Sequence, residues 1–107
     1  MLTVPAIVDT GNSLRDPVSA DPVSIIDSFA AQKLFEGRVP EKIRYIPYHS
    51  VGKKNGILMA VRLDRICIHE GRNRGKKSRW IEQPLVAVSE EELSSDGTYR
   101  MLLHPDL

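Results

Sequence analysis

The chain has 107 residues, 15 Lys and Arg against 14 Asp and Glu, a net charge of +1, 41% hydrophobic and 27% charged residues. That length predicts one domain over residues 1–107 and leaves no room for a two-domain enzyme, and the balance of apolar and charged residues lies outside the disordered range. The near-zero charge removes any global electrostatic drive toward nucleic acid or acidic lipid. The lone Cys67 excludes an internal disulfide, and the longest apolar run, from Ile57 to Val61, is far short of the roughly 18 residues of a membrane-spanning helix.

Val4-Pro5-Ala6-Ile7-Val8 is an apolar run that stops at Asp9-Thr10-Gly11-Asn12, the pattern of a buried strand entering a tight turn. Arg15-Asp16-Pro17 and Ala20-Asp21-Pro22 are turn signals, and Pro22 to Ile26 reads as a second strand. Asp27 or Ser28 can cap a short helix carrying Phe29, Ala30 and Leu34 on its apolar face, with Gly37 placed to end it. Strands are then expected over Ile43 to Tyr48, Gly56 to Leu63 (Ile57, Met59, Val61 and Leu63 on one face), Arg65 to His69 and Trp80 to Val88.

Between the first two, Asn55-Gly56 marks a hairpin. The loop from Glu70 to Arg79 carries five basic residues and one acid, Glu90-Glu91-Glu92 and Asp96 form an acidic stretch, and an apolar segment around Met101-Leu102-Leu103 runs into a polar turn at His104-Pro105. Short strands, many turns and one small helix predict a mainly β domain with a closed or strongly curled sheet.

The chemistry concentrates at Ile7-Val8-Asp9-Thr10-Gly11. A carboxylate at the exit of an apolar strand, with glycine to permit a sharp turn and threonine to hydrogen-bond to a second copy of the turn, matches the active-site signature of aspartic proteases. The tripeptide alone is also an ordinary Asx-turn. His49, His69 and His104 lack metal-ligand spacing, so no metal or other cofactor is expected. Cys67, inside an apolar strand, reads as a small buried hydrophobe, and Trp80 with Pro84 suggests an edge strand. The basic loop is read as a solvated hairpin tip, with contact to anionic lipid or to an acidic substrate segment as its functional versions. Nucleic acid is not expected, because no aromatic residue interleaves the basic ones.

The order of catalytic turn, small helix, glycine-bearing hairpin and terminal apolar segment resembles the retropepsin-like half-barrel of the acid protease fold. The longer string Val8-Asp9-Thr10-Gly11-Asn12-Ser13-Leu14-Arg15-Asp16-Pro17, with Pro22-Val23, Ile46-Pro47-Tyr48-His49-Ser50-Val51-Gly52, Asn55-Gly56-Ile57-Leu58 and Leu102-Leu103-His104-Pro105, resembles the protease domain of the sporulation sigma-E-factor-processing peptidases of endospore-forming bacteria. That resemblance covers nearly the whole chain. It implies a membrane-spanning half outside this sequence, a place at the membrane of the sporulating mother cell with this domain cytoplasmic, and a sigma-factor precursor as substrate. It also implies Asp9 as the catalytic residue, Thr10, Gly11 and Asn12 as support of the catalytic loop, and Tyr48, His49, Ser50, Val51, Gly52 and Gly56 as flap and substrate-binding residues.

Two facing carboxylates that share one proton are needed for this chemistry, and one copy of the motif supplies half a site. A homodimer follows, each subunit giving one Asp9. With eight residues before Asp9 and an end at Leu107, the isolated chain is expected to associate weakly and to be poorly active at micromolar concentration. His104-Pro105 departs from the glycine that viral retropepsins carry there. The alternative is a non-catalytic retropepsin-like module for dimerisation or docking.

Overall fold

The computed structural model describes residues 2–36, 38, 40–48, 56–71 and 77–107. In them the chain order is β1 (Ala6–Val8), β2 (Val23–Ile26), α1 (Ser28–Leu34), β3 (Ile43–Tyr48), β4 (Gly56–Arg62), β5 (Arg65–His69), β6 (Ser78–Glu82), β7 (Leu85–Val88) and β8 (Met101–Leu103). The fold is mainly β, as the turn-rich sequence requires. Six strands form one sheet in the order β1-β8-β2-β7-β4-β3, and β5 and β6 form a separate two-stranded ribbon. The hydrogen-bonded order of the larger sheet is open, with β1 and β3 at its edges, so of the closed or strongly curled sheet expected, the closed form is not the one seen among the described residues.

Period-2 alternation sorts the central strands onto two faces. On one face Ile26, Val86, Met101 and Leu103 pack with Ala30 and Ala31 of α1, joined by Leu34, Ile66 and Ile68; on the other Val23, Leu85, Ala87, Ile46 and Ala60 pack with Leu14 and Leu58. In β4 the packing positions are therefore Leu58 and Ala60. Val61 is buried as well, whereas Ile57, expected to share its face, is 68% exposed.

The helix starts at Asp27, whose side chain accepts from the Ala30 amide at 2.8 Å. The same carboxylate pairs with Arg100 at 3.1 Å, and the Asp27 amide donates to the Arg100 carbonyl. Phe29 does not join the core: it is exposed, with the Arg100 guanidinium 4.6 Å and the Lys33 ammonium 5.1 Å from its ring centre. The helix gives way at Phe35; Gly37 lies outside the described residues.

Three further expectations are corrected. The segment Trp80 to Val88 is two strands, broken where Gln83 takes a φ of 50° ahead of the buried Pro84. Proline has no amide for a ladder, and the break lets β6 pair with β5 while β7 enters the main sheet. Cys67 is half-buried, because the ribbon face that it shares with Trp80 points away from the core. Trp80 stands 54% exposed with Arg65 4.6 Å from its ring centre. Most importantly, β1 is not buried: all three of its residues are exposed, with Ile7 at 43% and Val8 at 57%.

Candidate active site

β1 is positioned by the far end of the chain. It runs parallel to β8, with Ala6, Ile7 and Val8 opposite Met101, Leu102 and Leu103. The pairing continues past both ends of the strand: the Arg100 amide donates to the Pro5 carbonyl at 2.8 Å and the Asp9 amide to the Leu103 carbonyl at 3.0 Å. Asp9 thus sits half-buried at the tip of an edge strand, its backbone still in the ladder.

The turn then closes on the acid itself. The Asn12 amide donates to the Asp9 carbonyl, and the Gly11 amide donates to Asp9 Oδ1, both at 3.0 Å. Gly11 is not in a positive-φ conformation, and a Cβ there would stand 3.4 Å from Asp9 Oδ1, ordinary contact, so its role here is the amide that it gives the carboxylate. Thr10 and Gly11 are exposed.

Asn12 has the opposite environment and anchors the turn. It is 7% exposed, donates from Nδ2 to the Val23 carbonyl at 2.9 Å and accepts at Oδ1 from the Leu14 amide at 2.9 Å. Aspartate could not donate to that carbonyl, so the amide side chain is required at this place. The Val23 amide in turn donates to the Leu14 carbonyl, which fixes the turn to the first residue of β2.

Below the turn, β8 is held by contacts that residue-by-residue reading of the sequence misses. The His104 amide donates to Ser24 Oγ at 3.0 Å, and Ser24 is fully buried in β2. His104 Nδ1 accepts from the Asp106 amide at 3.0 Å, while its Nε2 is buried without a partner among the described residues. Burial, aided by the positive charge of Arg15, pushes the His104 pKa below the ordinary histidine value, against the opposite pull of Asp106. The imidazole is neutral, with Nδ1 as acceptor. The one signal for Ser24 in the sequence was a hydroxyl in the middle of an apolar strand.

The predicted hairpin is present as the β3–β4 pair, in register from Ile43 opposite Val61 to Tyr48 opposite Gly56. The Tyr48 ring covers Gly56: a Cβ at that glycine would fall 2.5 Å from the ring, so a larger residue there would displace the ring. His49, Ser50, Val51 and Gly52 lie outside the described residues. Asp9 also stands apart from the cavity of about 610 Å³ whose walls include Leu34, Phe35, Arg38 and Arg65, beside α1. The structure therefore brings Asp9, Thr10, Gly11 and Asn12 into one turn and places Tyr48 and Gly56 together at the far end of the hairpin.

The family model for Peptidase_U4, described as sporulation factor SpoIIGA, matches residues 1–107. The chain belongs to this family. It is 28% identical to the sporulation sigma-E factor-processing peptidase of Bacillus subtilis (strain 168) and 25% identical to that of Priestia megaterium, in each case across 99% of this chain and 40% of the relative. A relative from Bacillus thuringiensis subsp. kurstaki is 26% identical across 99% of this chain and 76% of its own length. The chain thus spans about two fifths of the length of the first two relatives. No solved structure matches it. No helix of the described residues is long and apolar enough to cross a membrane.

Proposed function

We propose that this chain is the protease domain of an aspartic endopeptidase, which as a homodimer removes the pro-segment from a sporulation sigma-factor precursor. The observation that carries the reading is the placement of Asp9. It closes an exposed apolar edge strand, its backbone is fixed by Leu103 and Asn12, and among the described residues its carboxylate receives one hydrogen bond, from Gly11. Membership of a peptidase family, and relatives named for sigma-E factor processing, support the same reading.

In the mechanism, two Asp9 carboxyls meet across a two-fold axis and share one proton, since like charges at contact cannot both ionise. The pair takes a proton from water as the oxygen attacks the scissile carbonyl, then donates to the leaving amine; the two acids titrate as a unit. The Gly11 amide holds each carboxylate by one oxygen, and Asn12 holds the turn on β2. An extended substrate lies beneath the β3–β4 hairpin and pairs main chain to main chain. The remainder of the protein, outside this chain, supplies the membrane-spanning half, with this domain on the mother-cell cytoplasmic side.

The test is co-expression of the full-length protein with a sigma-factor precursor, followed by sizing of the product. Asp9→Asn abolishes the shortened product while the protein remains folded. Persistence of that product with Asp9→Asn overturns the reading in favour of a docking module. Sedimentation of the full-length wild type in detergent gives a dimer on the same reading.

A further inference from the structure

The segment that follows the Asp9 turn is tied to the β3–β4 hairpin by two ion pairs. Asp16 is 2% exposed, and its Oδ2 lies 3.1 Å from Arg44 Nη1 on β3; Asp21 Oδ2 lies 3.0 Å from Arg62 Nη2 at the end of β4. Leu14 of the same segment packs against the cluster that holds Ile46 of β3 and Ala60 of β4. Arg44, Ile46 and Tyr48 are alternate residues of β3 and share a face, so the residue held by Asp16 lies on the same side as the ring that covers Gly56.

The Asp16 carboxylate is built into its own loop as well. It accepts from the Val18 amide at 3.3 Å and the Ser19 hydroxyl at 2.8 Å, while the Asp16 amide donates to the Asp21 carbonyl at 3.0 Å and its carbonyl accepts from the Ala20 amide at 2.8 Å. Burial raises the Asp16 pKa, but the Ser19 hydroxyl, the Val18 amide, Arg44 and the Ser19 amide together outweigh it and bring the value below the ordinary carboxylate range. The acid is therefore charged where it meets Arg44. The loop runs without interruption back to Asn12, through the Arg15–Pro22 bridge and the Leu14–Val23 hydrogen bond.

We propose that Asp16 is a positioning residue: through Arg44 it ties the segment that follows the Asp9 turn to the β3–β4 hairpin, and so sets the grip of the enzyme on an extended peptide. This rests on the proteolytic reading given above. An ion pair that only stabilised the fold would leave the substrate grip untouched once the protein had folded. A pair that fixes the hairpin acts on substrate binding first, because Asp16 touches neither Asp9 nor the peptide.

The experiment measures cleavage by the full-length protein of a fluorogenic peptide spanning the pro-segment junction of a sigma-E precursor. Asp16→Asn and Arg44→Gln are each expected to raise KM roughly tenfold, as loss of a charge-assisted contact does, with kcat within about twofold. The double variant is no worse than either single one, and Arg44→Lys recovers part of the loss. Unchanged KM in folded single variants, or strictly additive losses, overturns the proposal. If Asp16→Asn fails to fold, Arg44→Gln carries the test, since Arg44 is 42% exposed.

Hydrogen exchange of residues 43–48 and 56–62 in the Asp9→Asn background separates the two levels of the reading. Faster exchange there on Arg44→Gln supports the tether whether or not the peptide is cut, and unchanged exchange sinks it. Cleavage that survives Asp9→Asn sinks the proteolytic reading instead.

Discussion

Asp9 and Asp27 each come directly after a short strand, β1 and β2, and each begins a turn whose next amides it can accept; the sheet then treats them in opposite ways. Asp27 is fully buried, and both of its oxygens are committed, one to the Ala30 amide and one to Arg100, which belongs to the approach to β8. Asp9 is half-buried on an edge and receives the Gly11 amide at one oxygen. The first is a structural acid whose charge is answered inside the fold. The second has an oxygen without a partner among the described residues, which on the proteolytic reading is the one that works on substrate. What separates them is the second oxygen, and that depends on the neighbours more than on the acid or its turn.

The largest expected effect is on activity at the edge acid. Asp9→Asn lowers the rate of precursor cleavage by roughly 10³-fold or more, the range of a lost general acid–base group. Its unfolding free energy stays within about 0.5 kcal/mol, as for other half-exposed sites. Chemical denaturation alongside the cleavage assay checks both halves, and a large loss of stability would erase the contrast with Asp27.

At the buried acid the effect falls on stability. Asp27→Ala removes a helix cap and strands Arg100, at a cost of about 3 kcal/mol. That corresponds to a fall in Tm of roughly 15 °C by calorimetry. A loss under about 1 kcal/mol would mean that the Asp27–Arg100 pair contributes little beyond a bare cap. Between the two lies Asn12→Ala, which leaves the Val23 carbonyl unpaired in the interior for about 2 kcal/mol, and which also loosens the Asp9 turn. Its signature is a drop in both stability and kcat, unlike either aspartate variant.

A smaller effect is read in the pH dependence of stability. Because the His104 pKa is lowered by folding, the unfolded chain binds more protons than the native one as the pH falls. The contribution is fully present above about pH 6.5, the ordinary histidine value, and is lost as the pH drops through the folded-state value. Asp16, also lowered, adds a second loss of the same sign below about pH 4. Denaturation midpoints from pH 8 to pH 3 should show both steps; His104→Gln flattens the upper one and leaves the lower. The smallest change is expected at Ala20, whose φ of 64° is a left-handed conformation. Ala20→Gly relieves that strain and raises stability by about 0.5–1 kcal/mol, seen as a small shift in Tm.

Much of this was legible residue by residue. The Asp-Thr-Gly-Asn turn, the short helix capped at Asp27 or Ser28, the pairing of β3 with β4 and the turn-rich mainly β character all follow from periods and turn residues a few positions apart; of the Asn55-Gly56 turn signal, Asn55 lies outside the described residues and Gly56 is already the first residue of β4. The errors share one cause. The apolar run ending at Val8 reads the same whether its strand is central or at an edge, so its exposure was invisible until β8 became its one partner in the sheet. The apolar content of Trp80 to Val88 hid a break that only the two competing partners, β5 and β4, require.

The sequence by itself determined the local chemistry: which acid closes which turn and where the chain bends, because these depend on backbone sterics and neighbouring amides. Only the tertiary structure decided which acid is consumed and which is left available. Arg100 answers Asp27 across 73 positions, and Leu103 holds the Asp9 backbone from the opposite end of the chain. Such pairings are set by how strands are ordered in a sheet, a property of the whole chain that no window of neighbouring residues encodes.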